Sequence, residues 1–175
     1  RDSRVPERIR FTTYTLRYPE MNWVRIDGLE KHWEKTQVNA DIVDDRTIEV
    51  NTENVSQLTL TFPAGLCPLE REENPKVILD GGELTAPPVA EDGSWIVYFG
   101  RTDDGWRIVD GEETGLRKVH GLQGPIDDAF LDGFVMVTPT GTPMMGEVVT
   151  DWIEAEKENA IYQWQMQFRG SPRVK

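Results

Sequence analysis

The sequence predicts a mainly β fold: an antiparallel β-sandwich over residues 5–110, then a strand and a long C-terminal helix. Three observations carry this. Short runs rich in Val, Ile, Thr, Phe and Tyr recur every eight to twelve residues, with turn residues between them. A glycine-rich stretch with no periodicity, residues 111–133, interrupts the pattern. Apolar residues at helical spacing then run from Glu147 to Phe168.

The elements follow in order. Arg8–Tyr18 reads as a strand with Ile9, Phe11, Thr13 and Thr15 on one face. Tyr18-Pro19-Glu20 turns the chain into a second strand, Met21–Ile26, which Asp27-Gly28 should close. Thr36–Ile42 alternates through Val38, Ala40 and Ile42. Asp44-Asp45-Arg46 leads into Thr47–Asn51, with Ile48 and Val50 inward. Leu58, Leu60 and Phe62 mark the next strand, with Thr59 and Thr61 predicted to face out. After a loop containing Pro63, Gly65, Pro68 and Pro75, Lys76–Asp80 is a strand stopped by Gly81-Gly82. Ser94–Phe99 and Gly105–Val109 flank Arg101-Thr102-Asp103-Asp104 as a hairpin, giving about eight strands before residue 110.

Residues 134–172 form the second segment. Phe134–Thr138 is a continuous apolar run of the kind buried on both faces. In the helix, Val149, Trp152, Ile153, Ala160, Ile161, Trp164 and Phe168 form one broad stripe, and Gly170 and Pro172 end it. A buried strand followed by a helix is half of a β-α-β unit. The returning strand is not visible in the sequence, so the segment is expected to be an incomplete α/β subdomain; the alternative is a helix that packs on the β-domain. If no sheet of the chain covers Trp152, Ile153, Trp164 and Phe168, that face is expected to meet another surface.

Composition narrows the function classes. The formal charge is −12, with −5 in residues 1–87 and −7 in 88–175. This speaks against nucleic-acid binding, which needs a basic stripe, and against docking on anionic lipid. No apolar run reaches a membrane span. The single cysteine, Cys67, excludes an internal disulfide and reads as a structural thiol. The chain starts at Arg1 and has no signal-peptide core, so it reads as a segment of a longer protein.

No complete catalytic set is visible. Ser3, Ser56, Ser94 and Ser171 lie outside any G-x-S-x-G, and His32 and His120 are far apart in sequence. No H-x-x-x-H, H-E-x-x-H or EF-hand pattern occurs, and no cofactor is implied. The adjacent carboxylates Asp127 and Asp128 are the best candidates for a metal or acid–base pair. They equally suit capping of the following turn, the preferred reading. Asp103-Asp104-Gly105 reads as a turn. Six tryptophans raise carbohydrate binding as an alternative, through Trp33 in its loop. Trp23, Trp95 and Trp106 fall on strands, where core packing is expected.

Three stretches together suggest a relationship: Ile9-Arg10-Phe11-Thr12-Thr13-Tyr14-Thr15-Leu16-Arg17-Tyr18; Met21-Asn22-Trp23-Val24-Arg25-Ile26-Asp27-Gly28-Leu29 with Lys31-His32-Trp33; and Gly121-Leu122-Gln123-Gly124-Pro125-Ile126-Asp127-Asp128-Ala129-Phe130 followed by Phe134–Gly141. Over roughly residues 8–172 the chain resembles the region downstream of the α/β-hydrolase domain in large exported prolyl-oligopeptidase-like or esterase-like proteins of planctomycetes and related bacteria. The resemblance implies an extracellular or periplasmic parent that hydrolyses peptide or ester bonds with a serine nucleophile. It also implies an α/β segment that continues past Lys175. The nucleophile motif is absent here, so no catalytic residue carries over. The implied role is a non-catalytic accessory domain whose partner is the hydrolase domain of its own parent, or a second copy of the chain.

Overall fold

A computed structural model describes residues 5–111, 115–130, 132–141 and 143–175, except the side chain of Asp127. The fold is mainly β, with two five-stranded sheets and one C-terminal helix, as the periodicity predicts. The strands are β1 (Arg8–Thr13), β2 (Glu20–Met21), β3 (Val24–Leu29), β4 (Thr36–Ile42), β5 (Thr47–Glu53), β6 (Val55–Phe62), β7 (Lys76–Leu79), β8 (Gly82–Thr85), β9 (Trp95–Thr102) and β10 (Gly105–Val109). One sheet runs β1-β4-β5-β7-β8 and the other β10-β9-β6-β3-β2. All pairs are antiparallel except β5 with β7. That exception follows from the path: β6 crosses to the second sheet, and the loop after it returns the chain beside β5 in the same direction.

Alternation explains the core. Ile9 and Phe11 of β1, Val38 and Ala40 of β4, and Ile48 and Val50 of β5 face inward from the first sheet. Val24 and Ile26 of β3, Leu58, Leu60 and Phe62 of β6, and Val97 and Phe99 of β9 meet them from the second. Trp23 stacks on Phe62 at 5.3 Å between ring centroids, and Phe62 lies 6.0 Å from Trp95. Both indoles are buried and satisfied, Trp23 donating to the Pro6 carbonyl at 2.8 Å and Trp95 to that of Pro87 at 2.9 Å.

The structure departs from the local reading in four places. Asp27-Gly28 does not end a strand; it sits inside β3 at a bulge in the pairing with β6. Glycine gives room there: a Cβ would stand 2.6 Å from Ser56 Oγ, and that side chain would have to turn away. Gly81-Gly82 does not stop the sheet: Asp80 (φ 50°) and Gly81 (φ 82°) form a two-residue turn into β8. Thr59 does not face water; it is fully buried. The reason is a polar network over the outer face of the second sheet, described below. Finally, Phe134–Thr138 is not buried on both faces.

Contacts divide the chain into two units, Arg1–Gln123 and Gly124–Lys175. In the second unit a 3-10 turn, Ile126–Phe130, precedes an extended segment and then the helix α1 (Glu147–Phe168). Around Phe134–Thr138 the only ladder partner among the described residues is the stretch Arg173–Lys175. Met136 donates to the Arg173 carbonyl at 2.8 Å, and Lys175 donates back to Met136 at 2.9 Å. The bridge is parallel, so the extended segment, the helix and the stretch after it make a β-α-β arrangement one bridge wide. With α1 on one side, Phe134 is half-buried while Val135 and Val137 remain exposed.

Candidate functional site

Two features of the first unit gather chemistry. The larger is an open cleft of about 540 Å³ on the outer face of the second sheet. Its floor comes from β3, through Arg25, Ile26 and Asp27, and β6 backs that floor. Strand pairing sets Arg25 opposite Thr59 and Gly28 opposite Gln57. Asp27 organises the floor. Its Oδ1 accepts from Arg25 Nε at 2.6 Å, and its Oδ2 accepts from Thr59 Oγ1 at 2.5 Å. Arg117 comes from 90 residues further along, donating to the Asp27 carbonyl at 3.1 Å and to Gln57 Oε1. This network is what buries Thr59.

The walls are the turn leading into β2 and the irregular segment around residues 117–120. Arg17, Tyr18 and Glu20 stand on one side, and Arg117, Val119 and His120 on the other. His120 Nδ1 lies 2.9 Å from the Leu16 carbonyl. A carbonyl only accepts, so Nδ1 carries the proton and Nε2 is left as the second ring nitrogen. Behind this wall Gln123 is buried and accepts from the Gly121 amide at 3.2 Å. The glycine-rich stretch up to Gln123 thus closes over the sandwich face through Arg117 and His120.

None of these residues stands out in sequence as part of one site: His120 is met only as a histidine far from His32, and Asp27 only as a turn residue. Arg25 and Asp27 occupy the outward positions of an alternating strand, and outward charges ordinarily read as a solvated face. The signal that could have found them is the polar set Gln57 and Thr59 on an interior strand, a pattern that calls for partners beyond the sheet.

The second feature is the loop of Trp33. Trp33 is half exposed, has a left-handed backbone (φ 68°) and donates from its amide to the Tyr14 carbonyl at 3.2 Å. Tyr14 is also exposed. The neighbouring His32 has a buried Nδ1 with no hydrogen-bond partner among the described residues. Burial, and then the Lys118 charge, hold its pKa below the usual imidazole range.

Other candidates disperse. Cys67 is half-buried, and burial pushes its thiol up despite the Arg71 charge, which suits an inert thiol. Asp128 lies half-buried in the 3-10 turn and donates its amide to the Pro125 carbonyl at 2.9 Å. The Asp127 carboxylate falls outside the described residues, so the pair as a whole is not placed. Among the described residues no group of three or more His, Cys, Asp or Glu side chains stands where it could hold a metal ion.

In the second unit the helix has two apolar faces rather than one stripe. Along the first, Val149, Ile153, Ile161 and Trp164 are half-buried. Trp164 is ringed by Phe134 at 4.6 Å, Phe168 at 4.2 Å and Phe130 at 5.6 Å. The other face runs through Val148, Trp152 and Ala155, passes the polar Asn159, and resumes at Tyr162 and Met166, in steps of four and three residues. All five apolar residues are exposed, Val148 by 80 % and Trp152 by 63 %. So Trp152, grouped with Ile153, Trp164 and Phe168 by periodicity, belongs to the opposite face. Phe168 touches Trp164 yet stays 61 % exposed at the helix end. No residue of the helix is fully buried, and no helix is long and apolar enough to cross a membrane.

Comparisons with protein-family models, with curated proteins and with solved structures return no match to this chain.

Proposed function

We propose that the chain is a non-catalytic interaction domain whose strand–helix unit docks through the exposed face of α1. The observation that carries this reading is the exposed row Val148, Trp152, Tyr162 and Met166. Large apolar side chains gathered along one helix face and left in water are the usual mark of an interface. The rim of this face is acidic: Asp151, Glu156 and Glu158 flank it. A second copy would bring like charges together, so the partner fits better as an apolar groove with a basic border.

In this reading the partner is the catalytic α/β-hydrolase domain of an exported parent protein, and the chain shapes access to it. The support for that identity is the resemblance of residues 8–172. Reading the parent frame on both sides of this segment tests it: a G-x-S-x-G between a strand and a helix supports the hydrolase, and a frame with none removes it. Docking is tested separately. With the two domains expressed apart, Trp152→Ala should weaken the complex about tenfold or more while leaving the melting temperature of the chain unchanged. Equal binding by the variant would move the interface elsewhere.

A second reading, binding of neutral polysaccharide, is favoured by the exposed Trp33 beside Tyr14. Tryptophan fluorescence should then change saturably across a panel of neutral glycans, and Trp33→Ala should remove the change.

A further inference from the structure

We infer that the open edge of residues 134–138 is a self-pairing site, at which a second copy of this chain adds the same segment antiparallel across a twofold axis through Met136. The inference does not rest on the docking face of α1. Its first ground is hydrogen bonding. The Met136 amide donates to the Arg173 carbonyl, the Lys175 amide donates to the Met136 carbonyl, and the Thr138 amide donates to the Lys175 carbonyl. Phe134, Met136 and Thr138 are half-buried while Val135 and Val137 are exposed, the alternation of an extended strand. Successive residues of such a strand turn their backbone groups to opposite edges, so those of Val135 and Val137 face away from residues 173–175. Among the described residues neither valine has a backbone hydrogen bond, and no strand pairs with that edge. An exposed apolar edge of this kind is a template for another strand.

The second ground is register. A twofold axis through Met136 sets Val135 of one copy opposite Val137 of the other, and these are the residues whose backbone groups are open. Each such pair can exchange both of its hydrogen bonds, and each places valine against valine on the exposed face. The third ground is what flanks the register. No charged residue falls between Gly133 and Gly141, so the pairing itself brings no like charges together, and Asp132 would stand opposite Thr140. That neutrality favours a second copy at this edge, where the acidic border of α1 disfavours one. The same register sets Pro139 opposite Gly133, and proline has no N–H to give. The ladder therefore ends after Thr138, and the twofold closes it as a pair.

Sedimentation of the full chain from about 1 µM to 1 mM tests this. A monomer–dimer equilibrium is expected, with a Kd on the order of 10–100 µM, as suits a small interface. Val137→Pro removes a donor that no bond within the chain uses, and should weaken the dimer about tenfold or more. Val137→Lys, a charge at an exposed edge position, should do the same. Trp152→Ala should leave the dimer unchanged, which separates this edge from the docking face. Oxidation reads the register. In a Cys67→Ser background, Met136→Cys sets two thiols across the axis in a non-hydrogen-bonded pair, with Cα atoms about 4.5 Å apart, and should cross-link. Thr140→Cys, far from the axis, should cross-link much more slowly. A monomer throughout the range would overturn the assignment and leave the edge to a strand of a different protein. Dimerisation that survives both changes at Val137, loss of the dimer in Trp152→Ala, or equal cross-linking at positions 136 and 140 would overturn it too.

Discussion

The two units use similar residues to opposite ends. Every fully buried apolar side chain among the described residues lies between Ile9 and Phe99, and the 22-residue helix contributes none. Yet the C-terminal unit is not short of apolar side chains: Phe130, Phe134, Val135, Val137, Trp152, Tyr162, Trp164, Met166 and Phe168 fall within it. The difference lies in layers. In the sandwich each inward residue meets a second sheet, so alternation is enough to bury it. In the C-terminal unit one helix meets a ladder one bridge wide; among the described residues the rings around Trp164 pack together, and the remaining apolar side chains are half-buried or exposed. Apolar content therefore does not by itself predict where a stable core forms; a second layer is needed.

Substitution in the core should have the largest effect. Phe99→Ala or Phe62→Ala, both fully buried, should cost about 3–5 kcal/mol and lower the melting temperature of the sandwich steeply, as calorimetry or a denaturant titration would record. Trp152→Ala, a larger truncation, should change stability by no more than about 0.5 kcal/mol. A comparable cost at both positions would break the contrast between the units.

Next comes the polar floor of the cleft. Asp27→Ala should cost about 1–3 kcal/mol, because it leaves the buried Thr59 hydroxyl without its acceptor. Thr59→Val, which removes the hydroxyl but keeps the shape, should recover part of that loss in the double variant. Gly28→Ala should cost about 1 kcal/mol, since the added methyl meets Ser56 Oγ at 2.6 Å and that side chain must turn away. If either change were neutral, the network over the second sheet would not be structural.

The smallest effects are those of single titrating groups. His32 has its folded pKa lowered by burial and by Lys118. The unfolded chain therefore takes up the proton first, and stability should fall as the pH drops below about 6.5 toward the folded value. His32→Gln should flatten that slope in melting temperatures recorded against pH. Cys67, raised by burial, should react with iodoacetamide more slowly at pH 8 than an exposed thiol, and the rate should keep rising at higher pH. A fast reaction near neutral pH would mean that the loop after β6 opens readily.

These contrasts also explain what the sequence could reveal. The interior strands β4, β5 and β9 were legible because inside and outside alternate along them, and β6 because Leu58, Leu60 and Phe62 keep the period even though Thr59 between them is buried. The helix was legible from end to end because no proline or glycine breaks Glu147–Phe168. β8 was not, since Gly82–Thr85 offers a single apolar residue, Leu84, and is held by pairing with β7. Phe134–Thr138 misled because an apolar run reports only that burial would be favourable, not that a second layer exists. The cleft was hidden for a different reason. Its arginines come from three separate segments, and only pairing of β3 with β6 and the return of the chain at Arg117 bring them together. Grouping Trp152 with Trp164 failed because two helical faces overlap in a window this rich in apolar residues.

Amide hydrogen exchange of the full chain, resolved by peptide, tests the contrast most directly. The account predicts that β6 and β9, whose inward side chains are fully buried, exchange only through global opening of the sandwich. Residues 147–168, with no fully buried side chain, should exchange orders of magnitude faster by local opening. Protection of the helix equal to that of β6 would contradict it, because the outer face of α1 would then already be covered in the isolated chain.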